Sequence, residues 1–104
     1  LVVGTPGGTT IPTSVFQTLV NMLEFNMPPT DAVNKPKFHH QWLPDEVMIE
    51  KGFPASVKEA MQKMGYSFSR ERGGIGRTEC IRVLPNGKFE AVADNRGDDA
   101  AEGY

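Results

Sequence analysis

A chain of 104 residues with a formal net charge of -2, from eleven basic and thirteen acidic residues, has no dominant field of either sign, which excludes the basic stripe of a nucleic-acid or anionic-membrane binder. No apolar run approaches the ~20 residues that span a bilayer, and the single cysteine, Cys80, can form no disulfide within the chain. The length admits one domain with a modest core; a start inside an apparent strand, without an initiating Met, gives the expectation of a piece of something longer.

Leu1, Val2 and Val3 read as the end of a buried strand, and Gly4-Thr5-Pro6-Gly7-Gly8 as the turn out of it. Ile11, Val15, Phe16, Leu19, Val20 and Leu23 then recur at helical spacing and predict a helix with one apolar face over 11–25. Thr9 or Thr10 suits its N-cap, and Pro12 falls in the first turn, where no intrahelical N–H is needed. Asn26 and the pair Pro28-Pro29 stop it, and 30–33 predicts one short helical turn closed by Asn34 and Pro36.

From Phe38 the pattern becomes extended, over 38–42 and again over 46–50, where Val47 and Ile49 alternate with Met48 and Glu50. Pro54 opens a second helix whose Val57, Ala60, Met61 and Met64 share a face, with Gly65 as its stop. Three more strands are predicted near 67–70, 79–84 and 88–93. Between the last two, Leu84-Pro85-Asn86-Gly87 places Pro and Gly where a hairpin turn requires them. The polar tail "DNRGDDAAEGY" reads as a closing loop or a frayed end. The sequence holds no internal repeat, low-complexity block or linker.

A strand, a glycine turn and a helix start together aim backbone N–H groups at one point, with the positive end of the helix dipole behind them. "GTPGGTT" is no nucleotide loop, because the P-loop pattern lacks its lysine and the dinucleotide pattern fails on spacing. The same donors suit the alkoxide that develops in acyl transfer, although on pattern alone a tight strand-to-helix turn without any ligand is the preferred reading. His39 and His40, as neighbours on a strand, point to opposite faces and cannot chelate one metal together, so both read as hydrogen-bonded structural residues and no metal or other cofactor is expected. Cys80 reads as packing. Trp42 reads as a core or rim anchor, and "RERGGIGRTE" as a solvated connection. Thr5, Thr9 and Thr10 have no base beside them in sequence and do not read as nucleophiles.

"GTPGG" before a helix, "AVNKPKFHHQWLPDEV" and the closing "ADNRGDDAAEGY" together resemble, in order and along the whole of 1–104, the C-terminal part of the small subunit of γ-glutamyltranspeptidases, also called glutathione hydrolases. The resemblance implies an α+β fold that forms part of the four-layer αββα sandwich of N-terminal nucleophile hydrolases: a mainly antiparallel sheet with helices on one face. It implies an enzyme in which an N-terminal Thr attacks a γ-glutamyl amide such as glutathione, forms an acyl-enzyme, and yields the γ-glutamyl group to water or to an amino acid or peptide. Gly7 and Gly8 match the glycine pair that supplies oxyanion N–H donors. The nucleophile and the serines that hold the glutamate lie upstream in the family, so this stretch alone is expected to be inactive.

By the same resemblance Lys37, where family members commonly carry arginine, and Arg96, where Asn95 replaces a proline, take a structural or maturation role; lysine lacks the bidentate guanidinium. Expected partners are the upstream part of the small subunit, the large subunit of the same precursor and a γ-glutamyl substrate, with no nucleic acid and no membrane. A homodimer is expected of the isolated stretch, and a periplasmic or extracellular location of the whole protein. The alternative from another class is a non-catalytic binding or assembly module on the same scaffold; a phosphate-binding enzyme piece would need a cationic side chain near Gly7 and Gly8.

Overall fold

The computed structural model describes residues 1–103. Strand β1 (Val2–Gly4) pairs antiparallel with β4 (Glu79–Val83), which pairs antiparallel with β5 (Phe89–Val92), in the order β1-β4-β5. The register sets Val3, Cys80 and Val92 side by side on the inner face and Val2, Ile81 and Ala91 on the outer one, because successive strand residues alternate. The β4–β5 turn is the hairpin the sequence predicted: the Leu84 N–H donates to the Lys88 carbonyl at 2.8 Å, the Gly87 N–H to the Leu84 carbonyl at 2.9 Å, and Gly87 has φ 81°.

A short 3-10 turn, Gly8–Thr10, leads into α1 (Ile11–Leu23), and α2 (Pro29–Asn34) is the predicted short helix, begun one residue earlier. These two helices cover the inner face of the sheet. Met22, Ala32, Val33, Cys80 and Val92 form the core there, joined by Val3 and Met27. Cys80 is therefore a packing residue, as its neighbours in sequence suggested. Helix α1 differs from expectation in two ways. It ends at Leu23, two residues short, and the face it buries carries Thr10, Ser14, Thr18 and Met22, spaced by four, whereas Phe16 and Leu23 on the predicted apolar face are each 64% exposed. Small hydroxyl side chains let the helix lie close to the backbone of its neighbours: a Cβ added to Gly76 would stand 2.5 Å from the Ser14 Oγ.

The extended segments around His39 are shorter than predicted, with β2 (Phe38–His39) pairing antiparallel with β3 (Met48–Ile49). The segment 67–70 is no strand. It makes one parallel bridge, Val47 to Phe68, through the two backbone groups of Val47, which bond the Ser67 carbonyl and the Ser69 N–H, and just beyond it Arg72 makes a second, to Glu50, with its N–H on the Ile49 carbonyl at 2.9 Å. Helix α3 (Ala55–Lys63) starts after Pro54 and stops before Gly65, φ 99°, as predicted, yet it buries none of its residues, and Val57 and Met64 of its apolar face are exposed.

Two further expectations change. Trp42 is not a core residue: it is 77% exposed, at φ 73°, with its N–H donating to the His40 Nδ1. The stretch around Gly74 is more than a solvated connection, because Ile75 and Thr78 within it are fully buried. Among the described residues no helix is long and apolar enough to cross a membrane. The architecture is α+β, with helices on one face of an antiparallel sheet.

Candidate functional site

The glycine loop links the end of β1 to the first turn before α1. Gly7 has φ 138° and ψ 12°, and Gly8 φ 60°, regions that side chains adopt only with strain. A Cβ at Gly7 would meet the Thr10 Oγ1 at 2.5 Å, while the space beside Gly8 is open. Thr10 is the N-cap residue of α1, one of the two the sequence offered, but it makes no side-chain cap bond. The Thr10 hydroxyl instead donates to the Gly7 carbonyl at 2.9 Å, alongside the Thr10 N–H at 3.2 Å. Among the described residues no protein acceptor receives the N–H of Gly7 or of Gly8. Two donors are therefore left free at a helix start, where the backbone dipoles favour negative charge. A hollow of about 250 Å³ beside Gly7 and Thr10 is lined also by Arg72, Gly74, Gly76 and Arg77; the Arg77 guanidinium is paired to Asp99. Such a loop can receive an anion or a developing alkoxide.

Lys37 and Arg96 lie together in a buried ionic cluster that the loop touches through 74–76. The Arg96 guanidinium is bidentate to Glu50, Nε to Oε1 at 2.6 Å and Nη2 to Oε2 at 2.7 Å, and its Nη1 reaches Asp94 Oδ1 at 2.9 Å. It also donates to the carbonyls of Val33 and Lys35, both at 3.0 Å, satisfying groups that the C-terminal end of α2 leaves without helical partners. Lys37, 2% exposed, donates from Nζ to the same Val33 carbonyl at 2.6 Å. Burial, reinforced by the Arg96 charge, pulls the Lys37 ammonium down to about 8.

Glu50 is the residue that sequence reasoning passed over. Its carboxylate accepts from the N–H of Lys37 and of Ile75, each at 2.6 Å, as well as from Arg96. Burial pushes its pKa up, and the bonds from Arg96, Ile75 and Lys37 outweigh that and hold it below the ordinary value. The signal that could have found it is an acid ending an alternating apolar strand, a place where a charge must be met by partners. Asp94 is buried beside it and accepts from the Thr78 N–H at 2.6 Å.

The two histidines are structural and face apart. His39 is 1% exposed, between the Thr13 hydroxyl at 2.7 Å and Gln41 Oε1 at 2.9 Å, and His40 meets Asp45 at 3.0 Å. The structure thus places Gly7 and Gly8 in one loop and Lys37 and Arg96 in one cluster, joined where Glu50 holds Ile75 next to Gly76.

Comparison with known proteins gives this geometry its context. A family model described as gamma-glutamyltranspeptidase matches residues 1–104. A glutathione hydrolase proenzyme of Escherichia coli K12 is 39% identical over 105 residues, covering all of this chain and 18% of its own length, so the chain spans under a fifth of that relative. A gamma-glutamyltranspeptidase of Helicobacter pylori superposes with a TM-score of 0.86 at 45% identity, over 92% of this chain and 53% of the other. One from Pseudomonas nitroreducens, solved with L-DON, gives a TM-score of 0.89 at 33% identity, over 99% of this chain and 54% of the other. A match over every residue and superposition on solved members establish that the chain belongs to the gamma-glutamyltranspeptidase family.

Proposed function

We propose that the chain is the C-terminal part of the small subunit of a γ-glutamyltransferase that also hydrolyses glutathione, and that Gly7 and Gly8 form its oxyanion hole. In this reaction a threonine hydroxyl outside the chain attacks the γ-carbonyl of a γ-glutamyl amide; the new C–O bond turns the carbonyl oxygen into an alkoxide, and collapse expels the amine and leaves an ester. Water or an acceptor amine then releases the γ-glutamyl group. What the loop adds is stabilisation of the alkoxide, for which one backbone donor is worth about 3–4 kcal/mol. The observation that supports this is the pair of N–H groups on positive-φ glycines with no protein acceptor among the described residues. The upstream part of the small subunit and the large subunit complete the enzyme in this reading, which also carries a periplasmic or extracellular location. Lys37 and Arg96 enter it as the charged seam that holds the tail during maturation.

The test is turnover of a γ-glutamyl anilide by the full-length protein, followed by its structure with a γ-phosphonate analogue of glutamate. A phosphonate oxygen about 2.7–3.1 Å from both the Gly7 and the Gly8 nitrogen is the expected result. An oxygen bound elsewhere removes the oxyanion assignment. A protein that neither matures nor turns over substrate is instead a binding or assembly module on this scaffold.

A further inference from the structure

We propose that Thr5 and Thr10 are positioning residues that aim the two oxyanion donors, each through the far end of the peptide group that carries the donor. The inference rests on the oxyanion reading of Gly7 and Gly8.

The N–H of Gly7 belongs to the peptide that begins at the Pro6 carbonyl, and the N–H of Gly8 to the peptide that begins at the Gly7 carbonyl. A trans peptide is planar, so its C=O and N–H point in opposite directions and fixing one fixes the other. Both carbonyls are fixed by a threonine hydroxyl. Thr5 Oγ1 donates to the Pro6 carbonyl at 2.8 Å, and Thr10 Oγ1 to the Gly7 carbonyl at 2.9 Å. The Thr10 N–H adds a second bond to the Gly7 carbonyl.

Neither hydroxyl is free to turn elsewhere. Thr5 Oγ1 accepts the Arg77 N–H at 2.7 Å; that bond occupies a lone pair, holds the oxygen in place and leaves its one proton for Pro6. Thr10 is 3% exposed, so its hydroxyl has little access to competing water. Its Oγ1 also stands where a side chain on residue 7 would begin, 2.5 Å from the ideal Cβ position. Glycine at 7 and threonine at 10 are therefore complementary parts of one device: the missing side chain makes room for the hydroxyl that orients the backbone.

The need for such a device follows from glycine itself. Two adjacent glycines have the widest backbone freedom of any pair, and left alone they would let the donors swing. Oxyanion stabilisation depends on donors that are already aimed before charge develops. The threonines supply the restraint that the glycines lack, without touching the reacting atoms.

The experiment uses the full-length protein and four variants, Thr5→Val, Thr10→Val, Thr5→Ser and Thr10→Ser, assayed on a γ-glutamyl anilide. Valine keeps the shape and removes the donor, and at position 5 it also removes the acceptor of the Arg77 N–H; serine keeps both. Each valine variant is expected to lose about three- to tenfold in kcat, the worth of one hydrogen bond, with KM little changed, and each serine variant to regain it; the thermal unfolding midpoint stays near the parent's for Thr10→Val, where the Gly7 carbonyl keeps the Thr10 N–H, and falls for Thr5→Val, which leaves the Arg77 N–H without its acceptor. A merely structural role would not divide kcat from KM. Valine variants with parental kcat, or serine variants as slow as valine, overturn the proposal. Should a valine variant fail to mature, the cysteine variant, similar in shape with a weaker donor, takes its place and must show reduced kcat; parental kcat there overturns the proposal equally. The phosphonate structure of the parent separates the two ideas. With the oxygen on Gly7 and Gly8 but valine variants unimpaired, the positioning role alone falls; with the oxygen elsewhere, the oxyanion reading falls first.

Discussion

Gly7 and Gly8 look alike in sequence and differ in what they tolerate. A methyl at 7 would enter a disfavoured φ and collide with the Thr10 hydroxyl, whereas one at 8 meets nothing within 4 Å and bears only the left-handed strain, about 1–2 kcal/mol. Gly7→Ala should therefore reduce kcat on a γ-glutamyl anilide about a hundredfold, and Gly8→Ala far less; equal losses would show that the loop responds to strain alone. Proline at 8, the direct way to delete that N–H, cannot adopt φ 60° and would confound the two effects. In the ionic cluster, Glu50→Gln leaves the Arg96 guanidinium with an uncharged, wrongly shaped partner, and a loss of about 3–5 kcal/mol is expected in urea unfolding. Lys37 predicts a pH dependence of defined sign. Folded, it releases its proton at about 8; unfolded, it keeps it to the ordinary value of 10.5. Between those values the unfolded chain binds more protons, so stability rises with pH, by about 2–3 kcal/mol from this group. Lys37→Met should erase that rise, measured as the difference from the parent in urea unfolding at pH 7.5 and 10.

Helix α1 shows what the sequence disclosed and what it hid. Its existence was legible from the 3.6-residue recurrence of apolar side chains, but the buried face was not, because Thr10, Ser14 and Thr18 look like a solvated stripe. The competing factor is close approach, which favours small residues over greasy ones. Ser14 Oγ is buried with no hydrogen-bond partner among the described residues, so Ser14→Ala should be neutral or slightly stabilising. Gly76→Ala, which would drive a methyl into Ser14 at φ 75°, should lower the unfolding midpoint measurably; a silent Gly76→Ala would mean that the helix can move away. The β4–β5 hairpin was legible because its turn chemistry is local. The reduction of 67–70 to a single bridge was not, since it depends on the two backbone groups of Val47, twenty residues away. The glycine loop was found by its motif and the positions of Lys37 and Arg96 by resemblance. Glu50 escaped because nothing local in sequence announces that an acid will meet an arginine forty-six residues on.

At the scale of the molecule, helices cover the sheet on one face only. Val2, Ile81, Val83 and Phe89 stand exposed on the outer face, Phe89 at 74%, and Phe16 and Leu23 are exposed on α1. Apolar surface of this extent marks an interface, which accords with a chain about half as long as the solved family members it matches. The isolated chain is accordingly expected to dimerise and to bind a hydrophobic dye, and Phe89→Lys to weaken both; a monomer at high concentration that binds no dye would contradict this. The bond from Arg77 to Thr5 spans seventy-two positions and carries a consequence in time. Closing so long a loop is slow compared with local helix formation, so α1 can form early in folding while the turn just before it stays slack. The anion-receiving geometry of the glycine loop is completed only after β4 has docked, which makes it a late product of folding.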